Sequence, residues 1–119
     1  MDSATLAFHP AVRWHIAEDE PDAHVIEGVQ GIVRSLRGWA DSFDDFRVEP
    51  QRFIDSRDSV VVPVVFRGRA RRTAATLEIA ETQVYLVQDG RIVEVRVFRR
   101  IDDALEAAAM TGQDARAEP

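Results

Sequence analysis

The amino-acid sequence predicts an α+β fold in which a curved, mostly antiparallel sheet wraps around helices. Three observations predict it. Val84-Tyr85-Leu86-Val87 and Arg91–Phe98 are rich in β-branched and aromatic residues and flank Gln88-Asp89-Gly90, a two-residue hairpin signal. The one strong amphipathic helix comes early, with Val29, Ile32, Val33, Leu36, Trp39 and Phe43 at helical spacing. Finally, Val60–Phe66 is apolar on both of its faces, so the sheet needs two covers.

The elements follow in order. Val12-Arg13-Trp14-His15-Ile16 alternates as a first strand, with Val12, Trp14 and Ile16 opposite Arg13 and His15. Glu18 to Asp22 reads as an acidic loop. The helix opens at Gly28 and ends near Asp41 to Asp44, with Gln30, Arg34, Arg37 and Asp41 on its polar side. Phe46-Arg47-Val48 and Phe53-Ile54 bracket Pro50 and predict a strand broken at that proline. A turn at Asp55–Asp58 leads into Val60–Phe66, and a basic connection, Arg67 to Arg72, into a long strand from Thr73 to Val87. After the hairpin strand Arg91–Phe98, Asp102 caps a short helix, Asp103 to Met110, which Gly112 stops.

At 119 residues the chain forms one domain, residues 1–112, with a flexible tail at 113–119. A formal net charge of -6 speaks against a nucleic-acid or anionic-membrane binder. Without cysteine there is no thiolate nucleophile or disulfide frame. No run approaches the roughly 20 apolar residues of a membrane span, and the first residues lack a leader pattern, so a cytoplasmic location is expected. His9, His15 and His24 have no paired ligand spacing, and neither a metal nor a cofactor is expected.

Val12-Arg13-Trp14-His15, the acidic loop, Glu27-Gly28 opening a helix, Trp39 near its end, Ser59–Val62, Asp89–Ile92, Phe98 and Ala104–Ala108 occur in an order that is similar to the SnoaL-like branch of the nuclear transport factor 2-like superfamily. The resemblance runs from His9 to Met110. It implies a cone-shaped, cystatin-like fold with a pocket between sheet and helices, and relatives that include polyketide cyclases, ketosteroid isomerases and limonene epoxide hydrolases. The chain departs from that pattern in lacking the usual long helix before the first strand. Where isomerase-like members carry a carboxylate after that strand it has Ile16-Ala17, and where they carry a second acid it has a residue near Thr82. The isomerase machinery is therefore not implied.

His15, whose ordinary pKa is near neutrality, Glu78 and Thr82 are the candidate catalytic groups. Glu78 and Thr82 share a strand face with Ala80, Val84 and Leu86; if that face is concave, burial would raise the pKa of Glu78. Glu81 and Gln83 then face the other way, toward a dimer or solvent, and Tyr85, of opposite parity to Val84, is expected at an interface. The expected pocket is lined by Trp14, Val62, Val64, Phe66, Val84, Val95 and Val97, with Trp39 in the core. Arg67, Arg69, Arg71 and Arg72 form a solvated hairpin tip rather than an anion site. The expected function is binding of a small apolar or polycyclic molecule, with isomerase, cyclase or hydrolase chemistry by acid-base catalysis as its enzymatic form. The alternative is a non-catalytic module with a small or filled pocket. Because the second sheet face has no evident cover in the chain, a homodimer through that face is expected.

Overall fold

The computed structural model describes residues 8–16, 21 and 24–117. The elements are β1 (Phe8–Ile16), β2 (His24–Glu27), α1 (Val29–Ser42), β3 (Phe43–Pro50), β4 (Ile54–Ser56), β5 (Ser59–Ala70), β6 (Thr76–Gln88), β7 (Arg91–Phe98) and α2 (Ile101–Ala117). Among the described residues no helix precedes β1. The strands form one sheet in the order β2-β1-β7-β6-β5-β3, with β4 also on β5. All pairs are antiparallel except β1 with β7.

The hairpin forms where the sequence places it. Gln88 pairs with Arg91, and Asp89 and Gly90 take φ values of 52° and 76°, the positive pair that a two-residue turn needs. The break at Pro50 is also real, since β3 and β4 meet the same edge of β5, with Pro50 opposite Val64 and Ile54 opposite Val61. β2 is an addition: His24-Val25-Ile26-Glu27 is short and mostly exposed, and only its pairing to β1 makes it a strand. Helix α1 begins after Gly28, whose φ of 80° favours glycine and whose N–H donates to the Val12 carbonyl at 2.7 Å. Gly31 lets that helix lie close to β2, for a Cβ there would stand 2.9 Å from Cγ2 of Ile26.

The second face of the sheet is covered from within the chain. Ala104, Ala107 and Ala108 of α2 pack on Val61, Val84 and Phe98, with Ile54 at the margin. Small residues on the helix let it approach the sheet closely, and each large apolar side chain buried this way contributes roughly 1.5–3 kcal/mol. The expectation that nothing in the chain covers this face is thereby corrected. α2 also runs to Ala117, passing Gly112, because one glycine in a helix costs only about 1 kcal/mol and need not end it. Asp102 and Asp103 lie in its first turn, where carboxylates favour the helix dipole.

At the far end of β5, an ionic ladder crosses three strands. Glu49 accepts from Arg47 at 2.9 Å and from Arg67, and Arg67 also pairs with Glu78. The hydrogen bonds from Arg67 and then Arg47 hold the Glu49 carboxyl below its ordinary range. Arg71 pairs with Asp44 at 3.1 Å. Three of the hairpin-tip arginines' neighbours are thus carboxylates, and such exposed pairs add little stability.

Candidate functional site

Side chains alternate along a strand, so one register decides which residues share a face. In β5 and β6, Val62 opposes Gln83, Val64 opposes Glu81 and Phe66 opposes Ile79, while Val61 opposes Val84 and Pro63 opposes Thr82. The second set includes the α2-covered core. The first set faces α1, and between that helix and the sheet lies a cavity of about 160 Å³. Its wall comes from Trp14 and Ile16 of β1, Ile26 of β2, Phe66, Ile79 and Val97, closed by Ile32, Ser35, Leu36 and Trp39 of α1. Glu81 and Arg99 bring charge to this mainly apolar lining.

Glu81 brings a carboxyl group to the cavity wall. Burial pushes its carboxyl above the ordinary value of 4.5, while Gln83 and the charge of Arg99 pull the other way. Gln83, 4% exposed, donates from Nε2 to Glu81 Oε2 at 3.5 Å. Its Oε1 accepts from the hydroxyl of Tyr85. The three side chains occupy alternate positions on one face of β6, so the strand itself spaces them. Tyr85 fixes the amide of Gln83 with its NH₂ group toward Glu81. Desolvation, and then the charge of Glu81, push the Tyr85 hydroxyl up to about 12, so it remains a donor. The Tyr85 ring also meets Trp14 edge-on, with centroids 6.5 Å apart.

A ring stack closes the other side. Trp39 stacks on Phe43, Phe46 and Phe66 at centroid distances of 5.8, 6.3 and 6.5 Å. Phe43 and Phe46 are three residues apart and would point to opposite faces of a regular strand. A bulge between Asp44 and Arg47, with Asp45 at φ 54°, brings both to the same side.

Trp14, Phe66 and Val97 line the cavity as expected from the sequence. Val62, Val64 and Val95 share its face but are buried in the wall behind it, each under 5% exposed. Thr82 and Val84 lie on the opposite face, where Thr82 pairs with Phe98 and Val84 packs under α2. Glu78 shares that face and is taken up by Arg67, its side chain 62% exposed. His15 points away from Trp14, with Nε2 3.7 Å from Oε1 of Glu94. Arg96, on the same side of β7, lies over the Phe98 ring at 5.4 Å. The assignment of Glu78, Thr82 and Val84 to the pocket is corrected, because the concave face of β6 is the odd-numbered one. Val84 and Leu86 are apolar because α2 covers their side. The missed pair, Glu81 and Gln83, has a sequence signal: two polar residues interrupt the otherwise apolar series Leu77, Ile79, Tyr85 and Val87. Glu18, Asp19 and Asp22 lie outside the described residues. Among the described residues no group of three His, Asp or Glu side chains could hold a metal ion.

Residues 1–95 match the family model of the SnoaL-like domain. A nuclear transport factor 2-like protein from Burkholderia thailandensis is 26% identical, with 89% of this chain and 81% of that one covered and a TM-score of 0.69. A SnoaL-like protein from Jannaschia sp. CCS1, described as a polyketide cyclase, has 15% identity, coverages of 87% and 74%, and a TM-score of 0.66. A protein from Catenulispora acidiphila with a ketosteroid isomerase-like fold, crystallised with trimethylamine, has 10% identity, coverages of 79% and 70%, and a TM-score of 0.66. No curated protein sequence matches the chain. The last two likenesses show the fold alone.

Proposed function

Because the chain belongs to the SnoaL-like domain family, we propose that it binds a small, mostly apolar molecule between α1 and the sheet, and that Glu81 exchanges a proton with it. One observation carries this reading: a carboxyl group raised by burial stands in a mainly apolar cavity. A carboxyl raised by burial keeps its proton to higher pH than an ordinary one, and in that form it can donate to a carbonyl oxygen. Once ionised, it can take a proton from carbon or from a hydroxyl. Arg99, at the exposed rim, supplies a countercharge to an anion formed beside it.

Size narrows the ligand. A cavity of about 160 Å³ is close to one that admits benzene. It falls short of the roughly 300 Å³ at which drug-sized sites begin. A single ring fits inside; a fused polycycle must project through the mouth. SnoaL-like relatives described as polyketide cyclases, and a relative of this fold crystallised with trimethylamine, are in keeping with small-molecule binding. The second reading, sequestration without turnover, is favoured by Glu81 being the only carboxylate among the described lining residues.

Phenol is a suitable probe, because both tryptophans of the chain, Trp14 and Trp39, line the cavity and report on its occupancy by fluorescence. Saturable quenching is expected in the wild type. Glu81→Ala should weaken phenol binding at least tenfold, whereas Glu81→Gln should retain it and lose its pH dependence. Equal phenol affinity in wild type and Glu81→Ala would remove Glu81 from the site. A ligand that binds in a Glu81-dependent way but is never converted selects sequestration.

A further inference from the structure

We propose that Trp39 determines how many rings the ligand can have, because its indole is the partition between the inner cavity and a second, outer recess. The inference rests on the cavity being the ligand site.

The outer recess is an open hollow of about 530 Å³ formed along α1 by Ser35, Gly38, Trp39, Ser42 and Phe43. Ser35 and Trp39 belong to both hollows. They lie one helical turn apart, so their side chains are neighbours on the strip of α1 where the two spaces meet. Gly38 adds no side chain on the recess side, and the site of its absent Cβ has no neighbour within 4 Å. Of the shared pair Ser35 is small, so the indole is what divides them.

The indole is held for this task. It stacks nearly parallel to Phe43, Phe46 and Phe66, at interplanar angles of 14°, 24° and 25°. Phe66 itself lines the inner cavity, so the stack ties the partition to the wall. Yet Trp39 is 44% exposed, and only part of its surface is engaged in packing. A partly exposed aromatic side chain seated between two hollows can be shortened at less cost than a core residue. With the indole removed, inner cavity and outer recess join into a space of the size that drug-sized ligands occupy. Among the described residues the outer recess has no carboxylate, so a larger ligand still meets its proton partner, Glu81, through its first ring.

The test compares phenol with 2-naphthol on the wild type, Trp39→Ala and Trp39→Phe, each first shown to be folded by circular dichroism. The wild type should bind phenol at least tenfold more tightly than 2-naphthol. Trp39→Ala should gain at least tenfold for 2-naphthol and lose the preference for phenol. Trp39→Phe, which keeps a ring in the stack, should stay within about threefold of the wild-type preference. If Trp39→Ala does not fold, Trp39→Leu takes its place with the same expectation. A wild type that binds phenol, with an unchanged preference in the truncated variant, overturns the partition and leaves the ligand site standing. A wild type that binds neither probe overturns the ligand site, and the partition with it.

Discussion

At the scale of single residues, Glu81 and Tyr85 show how one strand face turns position into chemistry. Folding favours the neutral form of Glu81, because its carboxyl is raised above 4.5 by burial. The native state therefore holds more protons than the unfolded chain between the ordinary and the raised value, and stability falls as pH rises through that window. Glu81→Gln should melt higher than the wild type at neutral pH, and the gap should close below about pH 4; thermal unfolding across a pH series measures it. Tyr85, the only tyrosine of the chain, should ionise with a midpoint near 12 in the folded protein and near 10.0 when unfolded, read from tyrosinate absorbance. These two groups were hard to read from the sequence for one reason. Both phases of β6 are half apolar, one because α1 and the cavity face it, the other because α2 does. Choosing between them needs the partner helix, which periodicity within the strand does not name.

At the scale of elements, glycines and bulges set the distances that the site depends on. Gly31→Ala places a Cβ 2.9 Å from Ile26, a lining residue, and should cost about 1–3 kcal/mol in chemical denaturation, as overpacking does. Pairing it with Ile26→Ala should recover most of that loss. On the other face, Ala108, 1% exposed against Val84 and Phe98, should not accept leucine; Ala108→Leu should destabilise by a similar amount. The strands with the clearest alternation, β1 and β7, and the α1 stripe were legible because their periods are strong. β2 was not, since four mostly exposed residues form a strand only by pairing with β1. Nor was the β3 bulge, because Asp45 at positive φ is a backbone choice that the surrounding Phe-Asp-Asp-Phe run does not announce.

At the scale of the whole molecule, both faces of the sheet carry a helix, which changes what a second copy could bind. Beyond α2 the uncovered face offers half-buried Val65 and exposed Ala80 beside the Arg67–Glu78 pair. Joining two such faces would desolvate ions along with apolar surface, and that limits the gain. Pairing of two copies through this face is therefore expected to be weak, appearing at micromolar concentration or above in sedimentation velocity. A salting-out anion such as sulfate should strengthen it, because its exclusion from the protein surface favours burial of the apolar contact. A monomer at every concentration would exclude it. No helix among the described residues is long and apolar enough to cross a membrane.

The lone parallel pairing has a consequence for how the cavity comes into being. Trp14 is laid beside Val95, a partner synthesised some eighty residues later. Contacts so distant along the chain bear the largest closure entropy and form late. While a ribosome is still making the protein, α1 and the middle strands can already assemble, but the wall that holds Trp14, Ile16 and Ile26 still lacks the strand that joins it to them. The chamber thus stays open on one flank until translation has passed β7.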